Sequence, residues 1–307
     1  MSNVYCLMSA SLTREQALDC LASDDLIGLG MEADALRRSL HPEGVVTYAL
    51  ARNVAWPADT AALDATAREA LASGASSLAF TGPVPTQPLE WFTTLLRHLR
   101  ARFPALAVSA FAPADLLALQ TPLTTLLPAL REAGLSTLSA DPGPSLPLPE
   151  FLSVHRAAHA AGLQTTAAVT FGAEDTTAFL DRVLAIRALQ GETHGFLSLL
   201  PIAFQPGTEG DPAEPTAVEM LKTLAVCRVL APDIPHLQAH APTQGNKVLQ
   251  MALRFGADDA GSLPLPERRP AAHSAQALTE EELRRTIRDA GFLPLQRDAT
   301  FSTLFMV

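Results

Sequence analysis

The sequence predicts a parallel α/β fold of the TIM type, a (β/α) barrel in a single domain. Short apolar, β-branched runs alternate with helical patterns along the whole 307-residue chain. The connections between them are short, and seven or eight such units in a chain of this length suit a barrel better than an open doubly wound sheet. No G-x-G-x-x-G or P-loop follows any strand, so a nucleotide-binding open sheet has no motif behind it.

Each element has its own signal. Thr13 with Gln16 forms a capping box that opens a first helix, and a second runs from Leu26 to Leu40, with Gly44 beyond. These two helices, residues 1–44, are expected to form a cap over the bottom of a barrel spanning 45–307. Val45 to Leu50 reads as a strand buried on both faces, ended by Arg52, Asn53, Trp56 and Pro57. Helices are expected at 59–72, from Pro88, and at 126–133, 151–161, 176–190, 216–230, 246–255 and 279–291. Strands are expected at 77–81, 106–111, 135–139, 164–171, 196–202, 237–241 and 261–265. Thr216 with Glu219 and Thr279 with Glu282 are further capping boxes. The run 141–149 is too rich in proline for regular structure.

The composition narrows the function. Hydrophobic residues make up 48% and charged ones 18%, enough apolar surface for a large core. A net charge of −10 argues against nucleic acid and anionic membranes as partners. The start lacks a secretory signal, no apolar run approaches a membrane span, and the three cysteines are scattered; cytoplasmic placement is expected.

In a barrel of this type, chemistry sits at the strands' C-terminal ends. Asn53, Thr81, Asp115, Asp141, Thr170, Glu174, Gln205, His240, Thr243 and Gln244 fall there on the expected strand map, with Asp258 and Asp259 before the eighth strand. Asn53, Thr170, Gln205, His240, Thr243 and Gln244 are the ligand-binding candidates, a set suited to hydrogen-bonding a polar, nucleoside-like molecule. It contains no nucleophile–base pair, so no catalytic set is assigned; His240 is the lone acid/base candidate. No metal site is assigned either. His155 and His159 are four apart on one helix but lack the glutamate of a zinc motif, and read as packing residues. Cys227 reads as a buried thiol in mid-helix.

Longer phrases carry a resemblance. LRRSLHPEGVVTYALARN (36–53), PLEWFTTLLRHLRARFPALAVSAFAPAD (88–115), HRAAHAAGLQTTAAVTFG (155–172), RALQGETHGFLSLLPIAFQPGTE (187–209), IPHLQAHAPTQGNKVLQMALRFGADDAGS (234–262) and LTEEELRRTIRDAGFLPLQRD (278–298) follow one another in order. They resemble the radical S-adenosylmethionine enzymes of the futalosine route to menaquinone: aminofutalosine synthase, dehypoxanthine futalosine cyclase and their deazaflavin-cofactor relatives. Thr243-Gln244-Gly245 is closer to the cyclase and Ile234-Pro235-His236 to the synthase.

The resemblance implies a [4Fe–4S] cluster held by C-x-x-x-C-x-x-C just after the first strand, with S-adenosylmethionine on the open iron. Here Trp56 and Pro57 run straight into the helix, and the cysteines are Cys6, Cys20 and Cys227. Thr81-Gly82-Pro83-Val84-Pro85 and Asp141-Pro142-Gly143-Pro144 stand where the family carries glycine-rich stretches, and Ala173 where it carries a histidine. The expectation is a degenerate form with no cofactor of its own. It would act as a partner of an active radical-SAM relative or bind a futalosine-like small molecule; the alternative is non-radical chemistry on such a nucleoside.

Overall fold

The computed structural model describes residues 12–56, 60–141, 146–173, 175–207, 211–265 and 278–304, with only the backbone described at 241–244. Its strands alternate with helices, and the ladders β1–β2, β2–β3, β3–β4 and β6–β7 are parallel, as expected. The order is α1 (Arg14–Ala22), α2 (Leu26–Leu40), β1 (Val45–Ala55), α3 (Thr60–Ala72), β2 (Ser77–Thr81), α4 (Leu89–Arg102), β3 (Ala107–Ala110), α5 (Pro113–Ala118), α6 (Leu123–Ala133) and β4 (Thr137–Leu138). It continues with α7 (Leu148–Ala160), β5 (Thr165–Phe171), α8 (Thr176–Thr193), β6 (Phe196–Ala203), α9 (Ala217–Leu230), β7 (His236–Leu237), α10 (Ala241–Ala252), β8 (Asp259–Pro264), α11 (Glu280–Asp289) and β9 (Leu293–Arg297).

Hydrogen bonding orders the strands β4-β3-β2-β1-β8 in one sheet and β5-β6-β7 in another, with a single parallel bridge from Gln238 to Asp259. This is the strand order of a (β/α) barrel, without a closed ladder among the described residues. All three capping boxes read from the sequence are present, at Thr13, Thr216 and Thr279.

The differences are local. β1 runs on to Ala55, because Asn53 and its neighbours keep pairing with β2 in the register Asn53↔Ala79 and Ala55↔Thr81. The seventh strand is only His236–Leu237, since His240 is already the N-cap of α10. α7 starts at Leu148, inside the proline-rich run, because proline is compatible with the first helical positions. The short helix α5, with Pro113 in its first turn, and the edge strand β9 carry no periodicity long enough to read.

The chain forms two compact units: residues 1–48, 167–261 and 278–295, and residues 49–166, 262–277 and 296–307. In the first, α1 packs on α8 and α9, and α2 lies along α9. α9 is buried along almost its whole length. Arg37 and Arg254 each lie 4.4 Å over the Phe292 ring. In the second, Leu78 and Phe80 of β2, Val108 of β3 and Leu138 of β4 pack with Phe92, Leu95, Leu96 and Leu99 of α4 and Leu126, Leu127 and Leu130 of α6.

Candidate functional site

The loop after β1 is where the resemblance places the cluster. Only residues 56–59 separate β1 from α3, and none is a cysteine. Trp56 leaves the strand and stacks on Phe80 at 4.6 Å between ring centroids, with Phe111 at 5.1 Å, Phe92 at 5.4 Å and Trp91 at 6.3 Å. Phe111, just past β3, adopts a left-handed φ of 61°, uncommon for a bulky residue, and its ring is 2% exposed. These aromatics sit at the C-terminal ends of β1, β2 and β3 and fasten the chain's exit from β1 onto the layer between sheet and helix.

The other face of the same sheet differs. Side chains alternate across a strand, so the residues between Val54, Leu78, Phe80 and Val108 face away from the helices. Register aligns Asn53, Ala79, Ser109 and Thr137 in one row across β1 to β4. Asn53 and Ala55 are exposed, Ala79 and Ser109 half-buried. A packed TIM-type interior takes bulky branched side chains in such layers. This row offers small and polar ones, with hydrogen-bonding groups at Asn53 and Ser109.

The remaining candidates fall in the first unit or at its edges. Thr170 is half-buried on β5. Gln205 is exposed after β6, and its Nε2 donates to the Glu214 carboxylate at 2.9 Å. His240 is half-buried at the head of α10. Thr243 and Gln244 lie in the first turns of α10 rather than in a loop, with side chains outside the described residues.

In the second unit, Asp115 serves as a cap, accepting from the Ala112 N–H at 2.8 Å, and burial pushes its carboxyl up. Glu174 lies outside the described residues. Asp258 and Asp259 correct the expectation of a mouth position. Both are buried at the N-terminal end of β8, the opposite end from the expected site. Asp259 accepts from Thr47 Oγ1 at 2.5 Å and from the Gly261 N–H at 2.7 Å. Nearby in the same unit Gln238 Nε2 donates to Ser198 Oγ at 2.6 Å.

The cysteines supply no cluster ligand set among the described residues. Cys227 is 1% exposed in mid-α9, and burial pushes its thiol far up. Cys20 on α1 is half-buried, with its thiol also raised by burial and by Glu32 and Asp19. Cys6 lies outside the described residues. Among the described residues, no cysteine lies at the strand ends where the resemblance places the cluster.

His155 and His159 behave as packing residues. Both meet Thr165 Oγ1 at 2.9 Å. Burial holds the His155 imidazole down to about 3 and His159 to about 4, so both are neutral. A cluster the sequence reading missed is His41, His236 and Asp258, whose ligand-type atoms lie within 4.8 Å of one another. Its members are far apart in sequence and show no motif spacing.

The strand order defines a parallel (β/α) architecture of the TIM type. The solved structure of methylornithine synthase (PylB) matches it with a TM-score of 0.66 at 14% identity, covering 94% of this chain and 95% of that one. Residues 193–306 match the family described as CofH/MqnC C-terminal region. Aminodeoxyfutalosine synthase of Thermus thermophilus is 30% identical over 278 residues, covering 80% of this chain and 74% of that protein. The chain therefore belongs to the futalosine-pathway family of radical S-adenosylmethionine enzymes. Cyclic dehypoxanthine futalosine synthase of Streptomyces coelicolor is 27% identical over 341 aligned positions, covering 95% of this chain and 86% of the relative. That alignment is longer than the chain itself, so the relative carries segments this chain lacks. Among the described residues no helix is long and apolar enough to cross a membrane.

Proposed function

We propose that this chain is a cluster-less member of its family that binds a ligand or an active radical-SAM relative instead of generating a radical. One observation carries the reading: residues 56–59 between β1 and α3 hold no thiol, and Trp56 packs on Phe80, Phe92 and Phe111. Reductive cleavage of S-adenosylmethionine needs an iron with an open site held by thiolates. Without those ligands the scaffold retains recognition. The accessible row Asn53, Ala79 and Ser109 supports a futalosine-like nucleoside as the bound molecule.

Capture of the tagged chain from its native cells tests the partnership. Recovery of an active radical-SAM enzyme in stoichiometric amount is expected. The half-buried His240 beside a polar strand end favours a second reading, non-radical catalysis on the same nucleoside class. Saturable turnover by the purified chain alone, abolished in His240→Ala or Gln244→Ala, would replace the first reading with the second.

A further inference from the structure

We infer that His41, His236 and Asp258 form a binding site for one zinc-class divalent cation, remote from the ligand-binding end of the strands. His41 caps the C-terminus of α2, His236 opens β7, and Asp258 immediately precedes β8. The site thus ties the end of an N-terminal helix to the N-terminal ends of two strands within one compact unit.

The geometry converges on one carboxylate oxygen. His236 Nδ1 lies 2.5 Å from Asp258 Oδ2, and His41 Nε2 lies 3.3 Å from the same atom. The two imidazoles stack at 5.0 Å with 22° between planes, so their nitrogens reach the oxygen side by side. A cation about 2.0–2.2 Å from each ligand requires ligand atoms roughly 3–3.5 Å apart. The His41 to Asp258 separation already meets this, the His236 contact has to open, and all three ligand atoms lie within 4.8 Å of one another. The Pro235 carbonyl oxygen lies 2.9 Å from His41 Nε2 and also accepts from Arg228.

The carboxylate is oriented as a ligand. Its other oxygen, Oδ1, accepts from the Leu237 N–H at 2.8 Å and from Arg228. Arg228 is itself 1% exposed and is fixed by the Gly256 carbonyl at 2.9 Å. Such outer partners set ligand direction at metal sites. The histidine side chains are 15% and 21% exposed, which gives a cation an entry path. Two nitrogens and one oxygen suit zinc, cobalt(II) or nickel rather than magnesium or calcium, which take oxygen ligands.

Cobalt(II) titration of the chelator-stripped full chain tests the site. One cobalt per chain is expected, with visible d–d bands, no sulfur charge-transfer band, and displacement by zinc. Zinc at a hundredfold excess over its Kd should raise the thermal midpoint by about 5 °C. His41→Gln and His236→Gln should each lose the bands at unchanged circular dichroism, whereas Cys20→Ser should keep them. Absence of d–d bands and of a midpoint shift would overturn the site, as would bands that survive in the double histidine variant.

Discussion

The chain's two compact units use opposite means to hold their strand ends. The first buries charge: Arg228, Asp258 and Asp259 are each no more than 2% exposed and are joined by hydrogen bonds to backbone and side chains. The second buries rings: Trp56, Phe80, Phe92 and Phe111 pack edge and face over the ends of β1 to β3. The difference teaches that each unit secures a different end of its strands. The charged network lies at the N-terminal strand ends, where a barrel's residues serve stability. The aromatic fastening lies at the C-terminal ends, where the relatives' chemistry is expected.

The largest expected effect comes from breaking the charged network. Asp258→Ala leaves Arg228 buried without its carboxylate and should cost about 3–5 kcal/mol in denaturant unfolding. Trp56→Ala removes the half-buried hub of the aromatic cluster and should cost about 2–3 kcal/mol, less than a fully buried ring. If the aromatics served only solubility, the second variant would unfold at the wild-type midpoint.

Acid should separate the units. In the second, burial and the neighbouring His159 hold His155 at about 3 against an ordinary 6.5. The unfolded chain takes that proton first, so the stability tied to neutral His155 is complete above about pH 6.5 and falls as the pH drops below it. In the first, burial opposes ionisation of Asp258, but Arg228 and His236 outweigh it and hold the carboxyl at about 2. Its contribution is complete above the ordinary 3.8 and is lost as the pH falls through about 2. Amide protection factors, corrected for the slower intrinsic exchange in acid, should therefore fall first in α7 between pH 6.5 and 4, and His155→Gln should flatten that slope. Earlier loosening around α9 would contradict the assignment.

The smallest effect tests a close approach. Gly172 sits at φ 90°, and a Cβ there would lie 2.2 Å from Pro215 Cγ. Gly172→Ala should cost about 1–2 kcal/mol by thermal unfolding, with the strain confined to the first unit.

Most of the fold was legible in the sequence because periodicity, capping boxes and glycine stops are local signals. α2 and β2 lie within their expected bounds, and the helix opened by Thr216 does too. The misreadings came from effects that act across the chain. β1 extends past Arg52 and Asn53 because β2 pairs with it, overriding their polarity. α5 and β9 are too short for a period, and β9 exists through its pairing with β1. The site was legible in part. The buried thiol of Cys227 follows from the sequence, whereas the Asn53 row depends on register. The His41, His236 and Asp258 cluster depends on bringing together α2, β7 and the start of β8, which no spacing announces.

The claim that radical generation has been given up is tested most directly by anaerobic reconstitution of the purified chain with iron and sulfide. The account predicts no broad visible absorption that bleaches with dithionite, and no 5′-deoxyadenosine from added S-adenosylmethionine. A bleaching chromophore accompanied by adenosylmethionine cleavage would contradict it.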